Sequence, residues 1–376
     1  MEYREFDKSG LKTSLLGFGC MRFPTLPNGE IDEKRAEEML DNAIKSGVTY
    51  FDTAYPYHGG ASEPFTGKVL GKYPRESYYL ATKLPCWEVN SLDDAKRLFE
   101  EQLKRLDKDY VDFYLLHALS RDRWRKMAEL GVPQYCDELK KQGRIKHFGF
   151  SFHDEFSAFE EIITARQWDF CQIQLNYMDV DEQAGIKGYE LAERLGVPVV
   201  VMEPVKGGSL AMLPEDAAAP LKALDGNASI ASWALRWVGS LPHVKVILSG
   251  MSSEEQVNDN LATFGNFKPL DNAEQKAIEQ TAAIIKSRVN NGCTACRYCM
   301  PCPAGVDIPR NFGIWNEYGK YQNKGSAIWN WTHEMPDDKK AKNCIKCGKC
   351  EKVCPQKLPI REHLAALQKE LDGLHW

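Results

Sequence analysis

The sequence has no apolar stretch approaching the roughly 20 residues that a membrane-spanning helix needs, so it offers no candidate membrane segment. It has no strong excess of either charge. Its 48 lysines and arginines against 53 aspartates and glutamates leave a net charge of −5, which gives no reason to expect a nucleic-acid partner. The opening residues Met1-Glu2-Tyr3-Arg4-Glu5-Phe6-Asp7 are too charged for a signal peptide. No segment is of low complexity. No Gly-x-Gly-x-x-Gly follows the first strand-like run, which argues against a doubly wound dinucleotide fold. What remains is the composition of an ordinary soluble protein, 43% hydrophobic and 27% charged. At 376 residues the chain is long for one domain and comfortable for two.

Cysteine is not scarce. Eight of the twelve lie in two runs, Cys293-Cys296-Cys299-Cys302-Pro303 and Cys344-Cys347-Cys350-Cys354-Pro355. The second is C-x2-C-x2-C-x3-C-P, the bacterial ferredoxin pattern. The first differs only in having Met300 and Pro301 alone between its third and fourth cysteines. In such runs three thiolates hold one cluster and the fourth reaches across to the other. That spacing assigns Cys293, Cys296, Cys299 and Cys354 to one [4Fe–4S] cluster, and Cys344, Cys347, Cys350 and Cys302 to a second. Structural zinc normally takes two separated C-x2-C pairs, and disulfides are the third option; two proline-terminated quartets favour iron–sulfur. A thiolate-rich, unexported chain is expected in the cytoplasm. The other four, Cys20, Cys86, Cys136 and Cys171, share no spacing and read as small buried hydrophobes.

Upstream, short apolar runs alternate with amphipathic stretches. After an N-terminal hairpin region, strands are expected at 15–21, 48–54, 78–84, 111–118, 145–151, 170–177, 197–204 and 244–251. In the first helix Ala36, Met39, Leu40, Ala43 and Ile44 make one apolar face. Ser91 with Asp94, and Ser252 with Glu255, read as capped helix starts. Runs such as Val197-Pro198-Val199-Val200-Val201-Met202 are continuously apolar, as parallel strands covered on both faces should be. Eight βα units in about 265 residues suit a (β/α)8 TIM barrel, typically roughly 250 residues. The stretch 303–343 lacks strand alternation and suggests a small, mainly helical ferredoxin-like domain, closed by a helix over 360–371. The expected domains are 1–288, the barrel, and 289–376, the iron–sulfur domain.

Barrel enzymes keep their chemistry at the C-terminal ends of the strands. Asp52 ends the second expected strand, with Tyr57 in the loop after it; Lys83 ends the third and His117 the fourth. Each alone has a bland reading: Asp52 as a loop cap, Lys83 in solvent, His117 as a satisfied core residue. All four at the same end of three successive strands point to a site.

These residues carry a resemblance. Tyr50-Phe51-Asp52-Thr53-Ala54 with Tyr57, Leu80-Ala81-Thr82-Lys83, the 111–117 run ending in His117, and Gly143-Arg144-Ile145-Lys146 leading to Gly149-Phe150-Ser151 make residues 1 to about 270 resemble an aldo-keto reductase. The cysteine tail resembles that of the branch with a C-terminal ferredoxin-like 2[4Fe–4S] domain. The resemblance implies an NAD(P)H-dependent oxidoreductase acting on a carbonyl or alcohol. It implies Tyr57 as the acid that protonates the alkoxide, helped by a nearby Lys83 ammonium, because a free tyrosine with a pKa of about 10 is a poor donor. Asp52 would hold Lys83, and His117 would orient the carbonyl and bond Tyr57. Tyr55, Trp87 and Phe152 are candidates for the pocket wall or equally for the core.

The implied cofactor contacts are Ser151 and Gln172 at the carboxamide and Met202 where an aromatic often stacks. The loop containing Gly207 and the turn containing Gly250 and Ser252 would take the phosphates. The family's two basic clamp positions are Gly250 and Gln256 here, while Asn260 is kept as an adenine contact. NADH is therefore slightly favoured over NADPH. The leading expectation is a cytoplasmic carbonyl oxidoreductase whose two clusters serve as an electron-relay or structural module. The expected partners are a small-molecule carbonyl substrate and an external electron-transfer protein. The opposing reading is a dinucleotide-binding redox sensor or electron-transfer protein with little turnover, and the intact Asp52–Tyr57–Lys83–His117 set favours the enzyme.

Overall fold

The computed structural model describes residues 1–7 and 10–375. An antiparallel hairpin opens the chain, with β1 (Tyr3–Glu5) paired to β2 (Lys12–Ser14). Eight parallel strands follow: β3 (Leu16–Gly19), β4 (Tyr50–Asp52), β5 (Tyr79–Leu84), β6 (Val111–Leu119), β7 (Ile145–Phe152), β8 (Phe170–Gln174), β9 (Val199–Met202) and β10 (Val244–Ser249). They pair in sequence order, and β10 bonds back to β3, so the sheet closes into a barrel. All eight strands fall inside or within one residue of the expected runs.

Helices cover the outside of the barrel, and their starts follow the capping logic. The Ser91 side chain accepts from the Asp94 N–H at the head of helix Leu92–Leu106, and the Asp94 carboxylate accepts from the Ser91 hydroxyl. At the helix Glu254–Gly265 the cap is Ser253, one residue later than the spacing suggested. The Ser252 hydroxyl is engaged elsewhere, donating to the Arg22 carbonyl at 2.8 Å. Gln256 Oε1 accepts from the Ser252 N–H instead.

Alternation along the strands sorts the barrel into two cores. Tyr50, Ala81, Phe113, Leu115, Phe170, Val200, Val246 and Leu248 fill the lumen, with Phe6 from the hairpin region packed among them. Their neighbours in sequence, such as Tyr114, Leu116, Val199 and Val201, face the helices in the larger outer core. The lumen is tight: a Cβ at Gly17 would stand 2.6 Å from Val246 Cγ1. Side chains two residues further along each strand therefore rise above this filled layer, at the barrel's C-terminal end.

Internal packing divides the chain into two compact units, 1–207 with 231–271, and 208–230 with 272–376. In the second unit, helix Asn272–Ser287 lies beside Glu215–Leu224, with the Thr281 hydroxyl donating to the Ala217 carbonyl at 3.0 Å. The other regular elements of this unit are helical, as expected, with Ile308–Tyr321, Lys324–Trp329, the short Lys349–Val353 and Ile360–Asp372. Its core joins Phe312, Trp315, Trp331, Leu364, Leu367 and Leu371, and six of the eight run cysteines pack against it. Trp315 and Trp331 donate their indole N–H groups to Glu370 and Asp372, at 2.7 and 2.8 Å.

Candidate active site

On β4, β5 and β6 the lumen residues Tyr50, Ala81 and Leu115 are each followed two places on by Asp52, Lys83 and His117. Lys83 is fully buried, and Asp52 nearly so. The Lys83 ammonium donates to Asp52 Oδ1 at 2.5 Å and to the Thr53 carbonyl at 2.8 Å. Its third donor reaches the Tyr57 hydroxyl at 3.3 Å. Tyr57 opens a single 3-10 turn, Tyr57–Gly60, whose first N–H bonds the Ala54 carbonyl, so the loop folds back over the strand ends. The Tyr57 and His117 rings meet edge to face at 6.0 Å.

Burial works against the Lys83 charge, but Asp52 and Tyr57 hold its ammonium above the ordinary lysine value. Burial pushes the Tyr57 phenol up while Lys83 pulls it back, so at neutral pH Tyr57 carries its proton. Burial, with Lys83, His153 and Arg123 adding to it, holds His117 far below the usual histidine value. The imidazole is therefore neutral and can offer a hydrogen bond, and the Tyr57 hydroxyl beside it carries a proton.

Ser151 on β7 and Gln172 on β8 are paired in register, and both are buried. The Ser151 hydroxyl accepts from the Ala118 N–H at 2.7 Å and keeps its own proton to donate. Gln172 donates to the Met202 sulfur at 3.6 Å. Three buried polar atoms here, Asp52 Oδ2, His117 Nδ1 and Gln172 Oε1, have no partner in the protein. An unpaired buried polar group costs about 1–3 kcal/mol, and this set fits a polar ligand with amide and hydroxyl groups, such as nicotinamide riboside.

The remaining implied cofactor residues are more dispersed. Asn260 is buried and gives its amide to the Ser249 hydroxyl at 2.9 Å. Gly207 lies in a turn with φ +60°, beside a Lys206 whose ammonium is held by Asp179 at 2.7 Å. Gln256 bonds Ser252 as described above. A Cβ on Gly250 would stand 2.7 Å from Arg22 Cγ, so Arg22 fills the space a side chain at 250 would enter. Nothing in the local sequence marks Arg22, which comes from the loop after β3. Of the aromatic candidates, Trp87 stands 5.1 Å from the His117 ring and is 40% exposed. Phe152 is fully buried against Phe159, a core residue. Tyr55 lies under Arg105 and donates to Glu101.

In the second unit the run cysteines border two cavities. One is walled by Cys299, Cys302, Cys344, Cys347 and Cys350. The other is walled by Cys293, Cys296, Cys299 and Cys354. Ile308 borders both. The first run is anchored by Asn291, whose Oδ1 accepts from the Cys293 N–H and whose carbonyl accepts from Asn316. Thiols around an apolar-walled cavity are the donor set of a cubane cluster.

A model of the aldo/keto reductase family matches residues 15–283. The chain belongs to the aldo/keto reductase family. A 4Fe-4S dicluster domain model matches residues 292–358, so a ferredoxin-like iron–sulfur domain follows the reductase barrel. Probable aldo-keto reductase 1 of Glycine max is 30% identical over 214 residues, 53% of this chain and 58% of that protein. L-galactose dehydrogenase of Arabidopsis thaliana is 26% identical over 307 residues, 76% of this chain and 95% of that one. The holo form of aldo-keto reductase AKR11C1 from Bacillus halodurans has a TM-score of 0.61 at 28% identity, covering 75% of this chain and 96% of that one. This aldo-keto reductase is an NAD(P)-dependent oxidoreductase with a 4Fe–4S domain. No helix among its described residues is long and apolar enough to cross a membrane.

The depressed His117 has a thermodynamic consequence. Unfolded, it takes a proton below about pH 6.5; folded, it resists doing so. Stability that is intact at high pH is therefore lost as the pH falls below about 6.5. The gap in unfolding free energy between wild type and His117→Asn should shrink between pH 8 and pH 5, by up to about 1.4 kcal/mol per pH unit. Urea titrations giving a constant gap would show that His117 titrates normally in the fold.

Proposed function

We propose that this chain transfers a hydride between NAD(P)H and the carbonyl carbon of a small-molecule substrate, with Tyr57 as the proton donor. The observation that carries this reading is the fully buried Lys83 ammonium, joined to both Asp52 and the Tyr57 hydroxyl. The bound nicotinamide supplies the hydride in reduction and accepts it in oxidation. Ser151 and Gln172 would hold the carboxamide edge, one donating and one accepting. The neutral His117 would hold the carbonyl oxygen, and Tyr57 would protonate it as negative charge grows there. Lys83 eases that proton's departure because its charge favours the phenolate left behind. Asp52 keeps Lys83 charged and fixed.

The first test removes the Tyr57 hydroxyl. Tyr57→Phe should lower carbonyl reduction by about 10²–10⁴-fold and leave dinucleotide binding nearly unchanged. Full turnover in this variant would overturn the mechanism, and a wild type that binds dinucleotide but reduces nothing across a carbonyl panel would favour the sensor reading.

For the cofactor, we infer that NADH serves at least as well as NADPH. Neither Gly250 nor Gln256 offers a positive charge, and the helix that follows opens with Glu254 and Glu255. Fluorescence titration should give an NADH dissociation constant no larger than that for NADPH. Markedly tighter NADPH binding would overturn this, and its loss in Arg22→Gln would assign the phosphate to Arg22.

The two cysteine-walled cavities support two [4Fe–4S] clusters, one held by Cys293, Cys296, Cys299 and Cys354 and one by Cys344, Cys347, Cys350 and Cys302. Hydride transfer moves two electrons together, whereas a cubane passes one at a time, so the clusters are an electron-relay or structural module rather than part of the hydride step. Protein purified without oxygen should hold about eight irons per chain, and a folded Cys347→Ala variant should keep its NADH-linked turnover. Stoichiometric zinc without sulfide would refute the clusters. A folded, dinucleotide-binding Cys347→Ala protein with no hydride transfer would put them in the chemistry.

A further inference from the structure

The second cysteine run concentrates a charge that the chain as a whole lacks. Between residues 344 and 361 stand Lys346, Lys349, Lys352, Lys357 and Arg361 against one carboxylate, Glu351, in a chain of net charge −5. Arg361 takes that carboxylate at 2.7 Å. The four lysines are exposed, and among the described residues no carboxylate pairs with them.

Large apolar side chains stand exposed in the same place. Tyr298 is 68% exposed, Ile345 66% and Val353 52%. They are contiguous, because all three wall the cavity of Cys302, Cys344, Cys347 and Cys350, together with Lys349. The short helix Lys349–Val353 puts Lys349, Lys352 and Val353 on one side, at i, i+3 and i+4. Lys346 lies on the adjoining groove, which shares Arg361 with the cavity. Cys347 is itself exposed. The result is an apolar centre with a basic rim at the edge of a thiol quartet.

Lysines alone could simply balance thiolate charge. Balancing charge does not require three large apolar side chains in water, which a protein exposes together mainly where something covers them. An apolar core inside a charged rim is the anatomy of a protein–protein interface, and a rim of one sign selects a partner of the other. A nucleic acid would use the lysines but not the apolar centre.

We propose that Tyr298, Ile345 and Val353, rimmed by Lys346, Lys349 and Lys352, form the docking site of a small one-electron carrier protein with an acidic rim. The proposal rests on the reading of the Cys302–Cys344–Cys347–Cys350 quartet as a cluster site. The cluster that quartet would hold would take one electron from the carrier, the cluster being reduced and the carrier oxidised. No bond forms or breaks, and no proton moves.

The test uses anaerobically purified holoprotein whose iron and sulfide are measured first. Calorimetry compares an acidic flavodoxin with a basic cytochrome c at low and at high salt. The acidic carrier should bind at low salt and weaken about tenfold or more at high salt, while the basic one should not bind measurably. The Lys346→Glu/Lys349→Glu/Lys352→Glu protein, with iron content and visible absorbance unchanged, should bind the acidic carrier about tenfold or more weakly. Because these lysines flank cluster ligands, the milder triple Lys→Gln protein is the second variant, and it should weaken binding in the same direction. Equal affinity for both carriers, salt-insensitive binding, wild-type affinity in the charge-altered holoproteins, or tighter binding to duplex DNA would each overturn the docking site. Absence of iron and sulfide would overturn the cluster reading and the docking site with it, and that failure is distinguished by being seen before any carrier is added.

Discussion

In a closed parallel barrel every strand turns alternate side chains into the lumen, and the lumen here is filled up to Tyr50, Ala81, Phe113, Leu115, Phe170, Val200, Val246 and Leu248. A polar group at that level loses its water, as the Tyr50 hydroxyl does, which is buried without a partner among the described residues. Two residues further along the same strands the filled layer ends, and there stand Asp52, Lys83, His117, Gln172 and Met202, with Gly250 two places past Leu248. The position of each is a consequence of strand period and barrel closure. A slip of one residue in any of these strands would exchange the lumen and helix faces and send its polar group into the outer core.

Burying Lys83 completely is the most expensive placement in this ring. A lone ammonium removed from water costs several kcal/mol, and breaking a buried pair by deleting one partner typically costs about 3–5 kcal/mol. The strand is fixed from both sides. Inside the lumen the ammonium is saturated by Asp52, the Thr53 carbonyl and Tyr57. Behind the strand, Gln102 donates to the Lys83 carbonyl at 2.9 Å and to the buried Glu63 at 2.8 Å, while Tyr114 donates to Gln102. Thr82, the outward-facing neighbour of Lys83, donates to the same Glu63 at 2.6 Å. Charge on one face and hydrogen bonds on the other leave the Lys83 main chain little freedom, which keeps the distance to Tyr57 short.

This division marks what a sequence discloses. Strands announce themselves as apolar runs, and a polar residue ending such a run is visible by inspection, so the eight strands and the Asp52–Tyr57–Lys83–His117 set were legible. The supporting network was not. Glu63 and Gln102 sit on helices Ser62–Leu70 and Leu92–Leu106, where a polar residue reads as solvent-facing until the packing shows otherwise. Arg22 was invisible for a related reason: its side chain occupies the space above Gly250, 228 positions away, and no local pattern encodes that contact. The shift of the last cap from Ser252 to Ser253 has the same origin, since the Arg22 carbonyl takes the Ser252 hydroxyl. Local chemistry was readable, and partners brought together by the fold were not.

The C-terminal unit follows a different logic, because its apolar core is small for the chain it organises. The core is built chiefly from one face of Ile308–Tyr321 and one face of Ile360–Asp372, and six cysteines of the two runs lie against it. The segments carrying the cysteines have little regular structure: 292–307 has no helix or strand, and 344–359 has one five-residue helix. Few of their backbone groups are tied into ladders, so packing alone does little to order them. Linking thiolates around each cavity would close loops across both runs at once, because each cavity is lined by cysteines of both runs. Cross-links of that kind stabilise most where the intervening chain is long, and here they would span the whole helical segment between the runs. Ligand binding would then contribute to the folding of the cysteine-bearing segments, and the same thiols that would carry electrons would hold those loops in place.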